Sequence, residues 1–289
     1  MIRFEEVYFT YAGTAVTETG VKEINLSIKT GECILLCGRS GCGKTTVTKL
    51  MNGLIPNYFP GKLSGNVQVG NARVFQTPMY QLAKKVGSVF QNPRTQFFNV
   101  DVDSEIVFGT ENEALPPDEL DRRLESTLDA LKIRHLQGRN IFELSGGEKQ
   151  KIAFAAVYAM NPDVYLLDEP SSNLDTAAIE DLKAYLLLLK KQGKTILIAE
   201  HRLYYLLEIA DRIVYLSESK IKKIYTPSEL RKISDTARKS MGLRSVDLKN
   251  VHPRGIAAQR RKPVLEVRDV QLFYLSLIHI SEPTRPERI

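Results

Sequence analysis

The chain has 289 residues, 43% hydrophobic and 26% charged, which suits one large α/β domain with a tail, or two small domains. No apolar run reaches the length of about 18 residues that a membrane-crossing helix needs, and the opening MIRFEEVYFTY alternates like a strand, without the apolar stretch of a secretory signal. The net charge of +6 is concentrated in residues 231–262, where aromatics are absent; this reads as a solvated linker, with no nucleic acid expected as a partner.

In chain order, residues 2–9 and 24–28 read as strands, and residues 32–37 as a short buried strand running into a glycine loop. A helix is expected over 44–54, then strands over 64–69 and 86–90. Residues 93–160 turn mostly helical, with helices near 104–112, 117–131 and 146–160. Strands at 164–168, 195–199 and 212–216 then alternate with helices at 176–192 and 202–209. Such alternation implies a mainly parallel sheet interrupted by an inserted helical part. Cys33, Cys37 and Cys42 cluster around the glycine loop, but their spacing is not CxxC and no histidine lies nearby. They are read as reduced, packed thiols.

Three segments carry chemistry. The run Gly38, Arg39, Ser40, Gly41, Cys42, Gly43, Lys44, Thr45 fits GxxxxGK[ST] between a strand and a helix. Its backbone N–H groups are expected to cradle phosphates, with Lys44 on the β- and γ-phosphates of ATP, Thr45 on Mg²⁺ and Thr46 beside them. Residues 164–170, VYLLDEP, form an apolar strand ending in two carboxylates. Alone, such a pair is as often an acidic helix cap. Downstream of a phosphate loop, Asp168 is placed to hold Mg²⁺ through water and Glu169 to act as general base. In residues 144–150, LSGGEKQ, Ser145 can cap a helix whose first N–H groups, at Gly146, Gly147 and Glu148, make a second anion site. One nucleotide hardly needs both elements from one domain. Two domains facing each other head to tail do.

With Gln91, residues 172–175 (SNLD) and His201 added, this order of motifs resembles that of ABC-type ATPases over residues 1 to about 225. The resemblance implies a P-loop NTPase core with a mainly parallel sheet, N-terminal antiparallel strands and an inserted helical subdomain near 93–160. It implies that Gln91 senses γ-phosphate and Mg²⁺, that residues 172–175 signal across a dimer, and that His201 contacts γ-phosphate. Tyr11 resembles the aromatic that stacks on adenine, and is otherwise a strand-end tyrosine. A closer likeness, to energy-coupling-factor (ECF) importer ATPases, rests on Gln91-Asn92-Pro93, Gln96-Phe97-Phe98, residues 105–109 (EIVFG) and Glu200-His201-Arg202-Leu203. It implies integral membrane subunits and a second cassette as partners, and a peripheral place on the cytoplasmic face of the membrane. The cargo would be a vitamin, such as thiamine or its pyrimidine precursor, or cobalt or nickel ions. Phe97, Phe98 and Phe108 then line a groove for a membrane subunit's helix, or are plain subdomain core.

The expected domains are a cassette over 1–230, a basic linker over 231–263, and the start of a second cassette at 264–274, where LEVRDVQLFY repeats the pattern of IRFEEVYFTY. Residues 275–285 match a translated sequencing-library adapter, so 275–289 is read as non-native read-through. The rival readings are a soluble tandem ATPase acting on ribosomes or DNA, and an exporter ATPase.

Overall fold

The computed structural model describes residues 1–13 and 20–247. The stretches expected as a second cassette start (264–274) and as read-through (275–289), and the linker beyond 247, lie outside the described residues. The described residues belong to one compact unit.

Within it, strands β1 (Ile2–Tyr11), β2 (Gly20–Ile28), β3 (Cys33–Cys37), β4 (Gly61–Val69), β5 (Ala72–Arg73), β6 (Val86–Val89), β7 (Val164–Asp168), β8 (Thr195–Ala199), β9 (Arg212–Ser217) and β10 (Lys220–Tyr225) make two sheets. The first is antiparallel, in the order β2-β1-β4-β5. The second runs β10-β9-β3-β8-β7-β6 and is parallel except for β10. The helices are α1 (Lys44–Met51), short α2 (Leu54–Asn57) and α3 (Met79–Ala83), then α4 (Val102–Glu111), α5 (Pro117–Ala130), α6 (Gly146–Met160), α7 (Thr176–Lys191), α8 (Pro227–Lys232) and α9 (Asp235–Ser240).

The pattern of β1 explains its place. Ile2, Phe4, Val7 and Phe9 are buried while Arg3, Glu5 and Tyr8 are exposed. The alternation slips by one residue at Glu6, which takes φ +48 where the register shifts against both neighbours. One extra residue in a bulge returns the apolar set to the same face. Strand β3 is buried throughout and alternates between two cores. Cys33, Leu35 and Cys37 face a core built with α4 to α7, whereas Ile34 and Leu36 face the antiparallel sheet and α1. Phe154 of α6 stacks near Tyr165 of β7 (6.4 Å) and on Tyr185 of α7 (5.1 Å), and Tyr185 Oη donates to Leu131 O at 3.0 Å. The helical insertion is thereby tied to the sheet.

Three local expectations differ from what forms. The helix from Lys44 stops at Met51, because Gly53 adopts φ +76, a left-handed geometry that ends helices. Residues 202–209 make a series of turns in place of a helix; Leu203, Tyr205, Leu206, Leu207 and Ile209 are all buried, more directions than one short helical face can bury. The stretch read as linker from 231 onward begins folded: α8 and α9 pack on the cassette, and Leu230 and Leu243 join its core. Thr226-Pro227 with Glu229 forms a capping box with proline at the first turn, a start signal present in the sequence.

Candidate nucleotide site

Parallel strands deliver their C-terminal ends to one edge of the sheet, where α/β folds bind ligands. Along that edge β3, β8, β7 and β6 lie side by side. The segments that follow them carry Lys44, His201, Glu169 and Gln91 in the same order.

Strand β3 ends at Cys37 and turns through Gly38 to Gly43 into α1. A Cβ on Gly38 (φ +150) would lie 2.2 Å from Leu216 O, and one on Gly43 (φ +103) 2.7 Å from Val21 Cγ1. Only glycine lets the backbone close this tightly. Arg39, Ser40 and Gly41 are exposed on the loop; Cys42 is buried, and burial lifts its thiol above the ordinary range. Burial likewise pushes the Cys33 and Cys37 thiols up to about 12, so all three cysteines are packed thiols, free of disulfides. Lys44 is buried and its ammonium donates to Gly38 O (3.1 Å) and Arg39 O (3.2 Å), folded over its own loop.

From Lys44 a row of contacts crosses the edge. His201 Nε2 stands 3.2 Å from Lys44 Nζ and 3.1 Å from Glu169 Oε1, and Gln91 Nε2 donates to Glu169 Oε2 at 3.1 Å. Burial, then the charge of Lys44, holds the His201 imidazole below its ordinary pKa, although Glu169 and Glu200 oppose the shift. A neutral ring can satisfy the ammonium or the carboxylate through that nitrogen, not both. Glu169 has φ +45, a left-handed geometry unusual for a non-glycine residue, and its N–H donates to Ala199 O at 2.8 Å. Backbone strain of this kind gathers at functional sites.

Thr45 Oγ1 donates to Asp168 Oδ1 at 3.2 Å. Burial raises the Asp168 pKa, the Thr45 bond lowers it, and the nearby Glu169 charge raises it again. A hydroxyl and a carboxylate are hard oxygen donors of the kind Mg²⁺ takes, with water and phosphate filling its remaining positions. Among the described residues no cluster of three or more His, Cys, Asp or Glu offers an all-protein metal cage. The donor set therefore fits Mg²⁺ held jointly with a phosphate ligand.

Tyr11 lies beside the loop, its ring edge-on to Phe9 (4.8 Å) and Phe59 (6.3 Å) and its hydroxyl 3.2 Å from Thr46 Oγ1. Thr46, expected at the nucleotide, is buried.

The Ser145 side chain bonds within its own turn, while Gly146 and Gln91 line one cavity. Ser145 Oγ accepts from Glu148 N (3.3 Å) and Glu148 Oε2 accepts from Ser145 N (2.8 Å), a full capping box at the start of α6. The Ser145 hydroxyl also bonds the Glu148 carboxylate, and the first-turn N–H groups of Gly146 and Gly147 lie beside it. Glu148, expected at the nucleotide, has its carboxylate engaged by Ser145 and by Arg139 at 3.1 Å. An acceptor so occupied offers a phosphate no donor.

The sequence did not reveal the hub at Glu200. This carboxylate is 2% exposed and accepts from Ser171 N and Oγ, Tyr205 Oη, His201 N and Arg202 N at 2.6–3.2 Å. It pins the segment after Glu169 to the segment carrying His201. The sequence signals are a carboxylate closing an apolar strand, TILIAE, and its place in Glu200-His201-Arg202-Leu203, neither of which gives its partners.

The aromatics divide. Phe98 is 75% exposed and stacks on Phe108 at 4.9 Å, and both line a groove with Leu54, Met79, Phe90 and Met160. Phe97 packs against the core. Buried Glu105 accepts from the N–H groups of Phe98 (3.0 Å) and Asn99 (2.8 Å), which holds the Phe98 loop in place.

Phosphate loop, paired carboxylates and sensor side chains on one parallel-sheet edge define a P-loop ATPase cassette with ATP and Mg²⁺ as its ligands. The sequence profile of the ABC transporter family matches residues 21–172, more than half of the chain, and the chain belongs to that family. A putative ABC transporter ATP-binding protein of Treponema denticola is 50% identical over 87% of this chain and 51% of its own length. A second such protein of T. denticola is 37% identical over 97% of the chain and 59% of its own length. The chain thus spans about half the length of these curated relatives. Among solved structures, cbiO1 from Clostridium perfringens, part of the ABC transporter complex cbiONQ, superimposes with TM-score 0.71 at 29% identity, covering 82% of this chain and 93% of that one. The ATP-binding cassette MJ0796, solved as a dimer with ADP and Pi, shares the fold at TM-score 0.67 and 24% identity, over 78% of this chain and 99% of that one.

Proposed function

We propose that this chain is the ATP-hydrolysing motor of an ECF-type membrane importer, working at the cytoplasmic face beside integral membrane subunits that select a vitamin or metal-ion cargo. The observation that carries the motor reading is the row Lys44–His201–Glu169–Gln91 on one edge of the parallel sheet. The loop N–H groups and Lys44 bind the phosphates of ATP, and Tyr11 stacks on the adenine. Thr45 and Asp168, with Gln91, hold Mg²⁺, which when bound offsets the charge spread over the phosphate oxygens. Glu169 takes the proton of the attacking water as the water oxygen bonds to the γ-phosphorus, and the bond to the β-phosphate bridge breaks. His201 turns from Glu169 to a γ-phosphate oxygen. Ser145, Gly146 and Gly147 serve the nucleotide of a second cassette, in tandem or from another chain, and residues 172–175 signal between the two. Loss of the γ-phosphate breaks that bridge and reopens the pair.

The importer reading is supported by the groove where exposed Phe98 stacks on half-buried Phe108, a surface that suits an apolar helix from a membrane subunit, and by the likeness to a member of the cbiONQ complex. No helix among the described residues is long and apolar enough to cross a membrane. Affinity purification of the full chain from detergent-solubilised cells tests it. Small integral membrane subunits should co-purify and stimulate MgATP hydrolysis; recovery with ribosomes or DNA in their place would overturn the importer reading and leave the ATPase standing.

A further inference from the structure

After α9 the chain turns back onto the phosphate loop. Arg39 Nη2 donates to Ser240 O at 2.6 Å, and Tyr215 Oη donates to Met241 O at 3.1 Å. Gly242 takes φ +75, and a Cβ there would lie 2.2 Å from Arg39 Cγ, so the Arg39 stem rests directly on this turn. Leu243 is buried in the core. Residues 240–243 are thus fixed by four separate contacts, and they fix where Lys239 and Arg244 stand. These two line one open cavity together with Arg39, Ser40, Glu169 and His201. Three cations therefore face a single carboxylate and a neutral imidazole, at the end of the site where Glu169 and His201 act. Both side chains are exposed, and among the described residues neither has an acidic partner. Such a cavity suits a polyanion.

We propose that Arg244, with Lys239 beside it, is a phosphate contact of this cassette's own nucleotide, supplied in cis by the segment that follows the core fold. The inference rests on the nucleotide reading above and adds residues outside its motifs. Charge-assisted bonds from a guanidinium are directional and strong, and at this end of the site they distinguish a terminal phosphate from its absence. The charge of Arg244 adds, as the smallest contribution after burial and Lys44, to what holds the His201 imidazole low.

The test is competition binding of MgATP and MgADP against a fluorescent nucleotide, using the full chain with Arg244→Ala, Arg244→Lys, Lys239→Ala and Lys44→Ala. Arg244→Ala should weaken ATP by about tenfold, a loss of one such contact, and ADP far less, so the ATP:ADP preference falls. Lys239→Ala should do the same more weakly, and Arg244→Lys should restore part of the preference. Thermal melts of the Arg244 and Lys239 variants should match the parent. An unchanged ATP:ADP ratio in Arg244→Ala, with Lys44→Ala abolishing nucleotide binding, would overturn the cis contact alone. ATP binding that survives Lys44→Ala would overturn the nucleotide reading as well.

Discussion

At Glu169 the backbone bends into a left-handed geometry at the end of a buried strand, and the carboxylate is caught between His201 and Gln91. Replacing it with glutamine keeps shape and hydrogen bonds but removes the base. Glu169→Gln should slow turnover by at least about a hundredfold with ATP binding intact, as read by phosphate release and nucleotide binding on one preparation. Glu200 acts differently: it touches no reacting atom and positions the segments that do. Glu200→Ala leaves several buried donors unmatched and should cost on the order of 3 kcal/mol in urea unfolding, with a smaller loss for Glu200→Gln, which keeps one acceptor oxygen. Tyr165 supplies a contrast. Its ring is fully buried and its hydroxyl has no hydrogen-bond partner among the described residues. Tyr165→Phe should therefore leave stability equal or raise it by about 1 kcal/mol in the same assay. At this scale, the placement of Lys44, Asp168, Glu169 and Ser145 is legible from sequence because each sits at a strand end or helix start marked by neighbours a few residues away. Glu200 is not, since its partners Ser171 and Tyr205 reach it only through the fold.

Among the elements, α6 is readable to the residue because both ends are marked, by the Ser145–Glu148 box and by Asn161 in the left-handed region. Ser145→Ala should lower stability by about 1 kcal/mol and reduce turnover, while the phosphate loop still binds ATP; thermal unfolding and steady-state hydrolysis separate the two effects. Residues 202–209 mislead because an apolar-rich stretch is compatible with a helix until tertiary burial demands several directions at once. The groove rests on an element pair, the Phe98 loop and α4, joined by Glu105. Phe98→Asp should leave the basal ATPase of the isolated chain near its parent value and abolish co-purification of membrane subunits. Equal recovery of those subunits would remove the groove from the docking surface.

For the whole molecule, the alternating strands and helices made the parallel sheet legible, but not its strand order. That order, β3-β8-β7-β6, is set by which edges pair, and it decides which motifs touch. The proposed head-to-tail pairing would place Ser145 on the nucleotide of a second cassette. Glu169→Gln held in excess MgATP should accumulate as a closed pair of cassettes on size exclusion, and Ser145→Arg added to it should dissolve that species.

The row along the sheet edge has one more consequence. Lys44, His201, Glu169 and Gln91 form a continuous row of contacts, so under the proposed function a terminal phosphate that engages Lys44 and His201 would also change the hydrogen bonding of Glu169.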